Sequence, residues 1–196
     1  CFSGAAGDMI LGALIDLGLP LDELRAALGS LGVEGWDISA DTVAKTGITA
    51  TKFRVHEQAA ADASHRHYHL AGIKKRIDQS SLSAAGQARA KALFDRLAAA
   101  EAAIHGMPIE KVHLHEVGAL DSIIDIVGCV FGFEWLGVER IVVSPLNVGS
   151  GMVKTAHGVY PVPAPATLRL VGEAPVYAGE IAAELLTPTG ALVLTD

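Results

Sequence analysis

Leu120, Ile123, Ile124, Ile126, Val127, Val130, Phe131 and Phe133 make a segment that is apolar nearly all round a helix, and such a helix has to be buried. A buried helix is predicted over about 119–136. It carries Asp121 and Asp125 four residues apart on one face, with Cys129 next along the same stripe. A carboxylate taken into such surroundings without partners either keeps a proton or costs several kcal/mol. The fold must therefore offer Asp125 a cation, a metal or several donors. The longest apolar run, Ile123 to Val138, includes Asp125 and Glu134 and is too short to cross a bilayer.

Just ahead of this helix stand His113, His115 and Glu116. In an extended segment the two imidazoles leave the same face about 7 Å apart, at roughly 3.3 Å of rise per residue. That spacing suits two ligands of one metal or two groups on one substrate. Gly118 permits a turn, so the run reads as strand, turn, helix. The plainer alternatives are a half-buried strand with satisfied histidines, Asp121 as a cap at the positive helix end, and Asp125 paired with a Lys or Arg.

With 196 residues and 51% hydrophobic content, the chain can bury a sizeable core as one or two globular domains. A net charge of -7 and no basic run argue against binding a nucleic-acid polymer. Two cysteines, Cys1 and Cys129, are too few for a disulfide framework and suit a reducing compartment, so a cytoplasmic location without membrane attachment is expected. The chain starts at Cys1 and stops within an apolar pattern, which is expected of a piece of a longer protein.

Helical spacing predicts helices over Met9 to Leu17, Leu21 to Leu31 and Leu70 to Asp78, and a long amphipathic helix over 84–105 ended by Gly106 and Pro108. Trp36 to Ala44 and Ile48 to Glu57 alternate and predict a strand pair. Arg140 to Ser144 is predicted as a strand ended by Pro145, and a further helix lies near Ala164 to Val171. Strands and helices alternate, so the fold class is α/β, a mixed sheet with flanking helices.

Four other groups could carry chemistry. Ser3-Gly4-Ala5-Ala6-Gly7-Asp8 before a helix could be an anion-binding nest, a tight turn that packs the helix closely, or a helix start with Asp8 as its cap. His65, His67 and His69 alternate on a polar segment that can collect a late first-row divalent ion or simply be a solvated loop. Lys154, Thr155 and His157, ahead of Pro161-Val162-Pro163-Ala164-Pro165, could grip a phosphate or carboxylate, or form a surface hairpin. Glu184-Leu185-Leu186-Thr187-Pro188-Thr189-Gly190 reads as a helix start capped by Thr187.

Four motifs in order, from Cys1 to Met9, from His113 to Gly128, His157-Gly158 with Pro161 to Thr167, and Glu184 to Ala191, together resemble the LarC family, the nickel insertion proteins of nickel-pincer cofactor biosynthesis. The resemblance implies a CTP-dependent cyclometallase, a lyase, that places Ni2+ into pyridinium-3,5-bisthiocarboxylic acid mononucleotide for a lactate-racemase-type apoenzyme. It covers residues 1–196 as the amino-terminal part. Family members continue into a carboxy-terminal domain associated with CTP and Mg2+ or Mn2+, and turnover is expected to need it. On this reading His113, His115 and Glu116 hold or hand over nickel, while Asp121 or Asp125 orients an imidazole or accepts a proton. Glu116 can share the catalytic role, and His65, His67 and His69 are further metal candidates. Ser3, Gly4, Gly7, Asp8, Lys154, Thr155, His157, Glu184, Thr187 and Thr189 are the candidates for the mononucleotide. The competing classes are a nickel carrier without chemistry and, less well supported, a metal-dependent hydrolase. Association into a homo-oligomer is compatible with all three.

Overall fold

A computed structural model of the chain describes residues 1–57, 68–112, 114, 120–155 and 158–196. In chain order the elements are α1 (Gly7–Asp16), α2 (Leu21–Gly29), the hairpin β1 (Trp36–Lys45) and β2 (Ile48–Glu57), α3 (Leu70–Gln79), α4 (Ala84–His105) and a short 3-10 turn (Ile109–Lys111). There follow α5 (Leu120–Trp135), β3 (Leu146–Asn147), β4 (Met152–Thr155), β5 (Gly158–Pro161), α6 (Pro165–Val171), β6 (Val176–Tyr177) and α7 (Pro188–Leu194). The α/β class holds, with parallel and antiparallel pairing both present. Among the described residues the strands fall into three two-stranded sheets: β1 with β2 and β4 with β5 antiparallel, β3 with β6 parallel.

Helix α5 is the centre of the molecule, as its apolar circumference demands. Ile124, Ile126, Val127 and Cys129 are essentially inaccessible. Two glycines let its neighbours come close: a Cβ on Gly128 would lie 3.1 Å from Leu11, and one on Gly132 would lie 2.9 Å from Leu14. Helices α1 and α2 thus pack directly on its backbone, α4 covers another side, and α1 also lies against β2. The ends of α4 follow its sequence signals. Ser83 Oγ accepts from Gly86 N–H at 3.0 Å, and Gly106 closes the helix at φ 61°, a left-handed conformation that favours glycine.

The predicted strand over Arg140 to Ser144 does not form. That segment makes no ladder, and Leu146 and Asn147, just beyond Pro145, pair instead with Val176 and Tyr177. The reason is burial: Leu146 and Asn147 are enclosed, whereas Val142 is 79% exposed and nothing packs over it to reward pairing. The predicted strand and turn through His113, His115, Glu116 and Gly118 lie outside the described residues, as do His65, His67 and His157.

The first loop and the loop before α7 are woven together. Ala5 N–H donates to Leu185 O at 2.9 Å and Thr187 N–H to Ala5 O at 3.0 Å, and Leu185 N–H continues the pairing to Val148 O at 3.2 Å. This crossing admits no side chain at two points. A Cβ on Gly4, at φ 81°, would sit 1.9 Å from Leu185 O, and one on Gly190 would sit 2.2 Å from Ala5 O. Of the readings of the first loop, tight packing is the one that the structure displays.

Gly190→Ala is expected to destabilise the fold by about 2–4 kcal/mol, because backbone has to move to admit the methyl group. Gly29→Ala, where a Cβ would meet open space, is expected to be neutral or slightly stabilising. Urea denaturation of both variants checks the pair; equal stabilities would mean that the loop crossing is not close.

Candidate functional site

The loop crossing places the starts of α1 and α7 beside the first turns of α5 and the face of β2. Between them lies a cavity of about 500 Å3 lined by Ala6, Asp8, Lys52, Phe53, Arg54, Val55, Asp121, Ser122, Asp125, Thr187, Pro188 and Thr189. Five of the sequence candidates, Asp8, Asp121, Asp125, Thr187 and Thr189, are therefore gathered at one place from three separate segments. Thr187 caps α7 by accepting from Gly190 N–H at 3.1 Å, as expected, and its hydroxyl lies 3.0 Å from that of Thr189. Asp8 does not cap α1, whose N-cap is Ala6, but pairs with Lys52. Asp121 Oδ1 accepts from the Ser122 N–H at 2.8 Å.

Asp125 is the unusual member. It is 9% exposed, and its Oδ1 is buried with no hydrogen-bond partner among the described residues. Its carboxyl presses against Gly7, where a Cβ would come within 2.3 Å of Oδ2. Glycine at that position is what lets a carboxylate reach the start of α1. Burial pushes the Asp125 pKa up to about 7, and the charges of Asp8 and Asp121 add to the rise; Lys52 and a hydrogen bond from the Asp8 N–H oppose it. Lys52 is thus engaged by Asp8, and Asp125 keeps its proton more readily than any ordinary carboxyl. Below it, Cys129 Sγ lies 3.9 Å from Gly7 O, and burial holds that thiol protonated.

Lys154, Thr155 and Glu184 line a second, smaller cavity of about 200 Å3, together with Glu101, His105, Tyr160 and Pro165. Lys154 and Thr155 stand on β4 of the hairpin, and Pro188 borders both cavities. Ser3 is exposed and Gly4 is packed on Leu185; neither lines these two cavities. His69 is exposed at the start of α3. Among the described residues, no three His, Cys, Asp or Glu side chains converge where they could hold a metal ion. The imidazole and carboxylate candidates nearest in sequence to α5, His113, His115 and Glu116, fall outside those residues.

Sequence reasoning missed Lys52 and Arg54, which supply the positive charge of the larger cavity. The signal was present. In a strand, Lys52 and Arg54 flank Phe53, so an apolar residue buried on one face obliges both cations to emerge on the other. Phe53 is fully buried. Glu101 and His105, an i,i+4 pair 3.5 Å apart on α4, were also missed, because a long amphipathic helix commonly shows such pairs on its solvated face.

Asp125 makes stability fall as pH rises. Its pKa of about 7 in the fold exceeds the ordinary aspartate value of 3.8, so the unfolded chain binds fewer protons between about pH 4 and 7 and the fold loses free energy across that window. Asp125→Asn is expected to gain on the parent protein through the same window and to exceed it by about 2 kcal/mol at pH 8, the shift less the amide's own need for partners. Denaturation series at pH 4, 6 and 8 measure this, and a constant difference between the two proteins would refute it.

The whole chain, residues 1–196, matches the family model described as nickel insertion protein. It is 47% identical over its full length to the pyridinium-3,5-bisthiocarboxylic acid mononucleotide nickel insertion protein of Desulfitobacterium hafniense, covering 48% of that protein. It is 48% identical to a putative nickel insertion protein of Geobacter sp. over 99% of this chain and 50% of the relative, and 46% identical to one of Dictyoglomus thermophilum. The chain spans about half the length of these relatives. No solved structure matches it. No helix among the described residues is long and apolar enough to cross a membrane. The chain belongs to the nickel insertion protein family.

Proposed function

We propose that this chain holds the metal-free pyridinium-3,5-bisthiocarboxylic acid mononucleotide in the larger cavity and is the part of the protein in which Ni2+ is placed on its ring. The observation that carries this reading is Asp125, a buried carboxyl with an oxygen unpartnered among the described residues, on a residue that lines the cavity together with Asp8, Asp121, Lys52, Thr187 and Thr189. Insertion forms a bond between nickel and a ring carbon, using the electron pair of the carbon–hydrogen bond, and the proton has to go to a base. Asp125 accepts it: with a pKa of about 7 it holds a proton far better than a solvated carboxylate, yet is largely ionised just above neutrality. Asp121 keeps the surroundings negative as the proton arrives.

Nickel is the substrate ion. His113, His115 and Glu116 hand it over; in the sequence Glu116 stands five residues before Asp121. CTP with Mg2+ or Mn2+ belongs to the part of the relatives' length that this chain does not span. The loaded cofactor passes to a lactate-racemase-type apoenzyme, in a cytoplasmic reaction that CTP drives.

Calorimetric titration with Ni2+ tests the ion's route. His113→Ala with His115→Ala is expected to abolish tight binding, whereas removal of His65 to His69 should cost only a small part of it; the carrier reading requires the opposite order. Binding should weaken below about pH 6, because ligand imidazoles have to be neutral. Asp125→Asn should still bind nickel and the mononucleotide but lose exchange of the ring proton with D2O by at least about a hundredfold. Unimpaired exchange in that variant would remove Asp125 from the proton transfer.

A further inference from the structure

The larger cavity carries both signs of charge. Asp121 and Asp125 come from α5 and Asp8 from α1, whereas both of its cations, Lys52 and Arg54, come from β2. We propose that Lys52 and Arg54 are the specificity-determining pair that holds the phosphate of the mononucleotide, so that the cationic ring and the incoming nickel face Asp121 and Asp125. The proposal rests on the reading that the mononucleotide occupies this cavity.

Three observations lead there. First, the pair is rigidly presented: Phe53 between them is fully buried, and α1 lies so close to this strand that a Cβ on Gly12 would be 2.5 Å from Thr51 O. Two residues apart on a strand, the side chains start roughly 7 Å from one another, which suits opposite sides of one phosphate. Secondly, their present partners are weak ones. Lys52 meets Asp8 and Arg54 meets Asp41 in ion pairs whose side chains are 32–59% exposed, and such pairs hold little net free energy. A monoanionic carboxylate would replace like with like, whereas a phosphate brings nearly two charges and three acceptor oxygens. Arg54 is bonded to Asp41 through one terminal nitrogen, and a guanidinium has five donors arranged to grip a phosphate. Thirdly, the other lysine candidate, Lys154, lines the smaller cavity, whose roughly 200 Å3 is below the usual range for a small-molecule site.

The test is calorimetric binding of two ligands, the mononucleotide and its dephosphorylated nucleoside, to the parent chain, to Lys52→Gln, to Arg54→Lys and to the double variant Lys52→Gln with Arg54→Gln. For the parent, removal of the phosphate is expected to weaken binding roughly tenfold to a hundredfold. For the double variant the two ligands should bind alike, with nucleoside affinity unchanged, which also reports an intact fold. Arg54→Lys should keep part of the discrimination, and inorganic phosphate should compete with the mononucleotide on the parent only. The inference is overturned if the phosphate preference survives in the double variant, or if the nucleoside, which keeps both thiocarboxylates, loses affinity as much as the mononucleotide. Should the double variant bind neither ligand, the single variants decide by the same comparison. A parent chain that binds neither ligand would instead overturn the assignment of the cavity to the mononucleotide.

Discussion

Burying one carboxyl against the start of a helix organises this molecule. Asp125 sits on the most apolar helix of the chain and reaches Gly7 at the start of α1, where no side chain blocks it. One backbone N–H of α1 is bonded to it, and the other oxygen is left without a partner among the described residues. An arrangement of this kind costs stability at neutral pH, so the surrounding fold has to supply the difference. It does so by close packing: Gly128 and Gly132 bring Leu11 and Leu14 onto the α5 backbone, and the crossing of the loops at Ala5 and Leu185 locks α7 beside α1.

That packing decides what the cavity can do. Because α1, α5, α7 and β2 are held by apolar contacts and backbone hydrogen bonds, the partly exposed ion pair of Lys52 with Asp8 carries little of the fold. The cavity carries both signs of charge, with carboxylates from α1 and α5 and cations from β2. A ligand that itself carries a cationic and an anionic group can answer both.

Much of this was legible in the residues. The circumferential hydrophobicity of Leu120 to Phe133 predicted the central helix almost to its ends, and the pairing of β1 with β2 followed from their alternation. Ser83, Gly106 and Thr187 behaved as capping residues. The gathering of Asp8, Asp125 and Thr189 was not derivable from spacing, because it depends on a crossing between loops about 180 residues apart, signalled only by glycines whose neighbours are unknown until the chain folds. Arg140 to Ser144 misled because strand propensity is realised only where burial rewards it, and there Val142 faces solvent. Lys52 and Arg54 escaped notice because a cation on a strand is usually just its solvated face.

The claim on which the rest depends is that Asp125 is held without adequate partners. Carbon-13 NMR of the side-chain carboxyls, followed from pH 4 to pH 9 with the Asp125 signal assigned by its loss in Asp125→Asn, measures this directly. A midpoint near 7, falling on addition of nickel and the mononucleotide if the proposed function holds, is the predicted result. A midpoint near 3.8, the ordinary aspartate value, would mean that the carboxylate is fully satisfied in the fold, and Asp125 could not be the group that takes the ring proton.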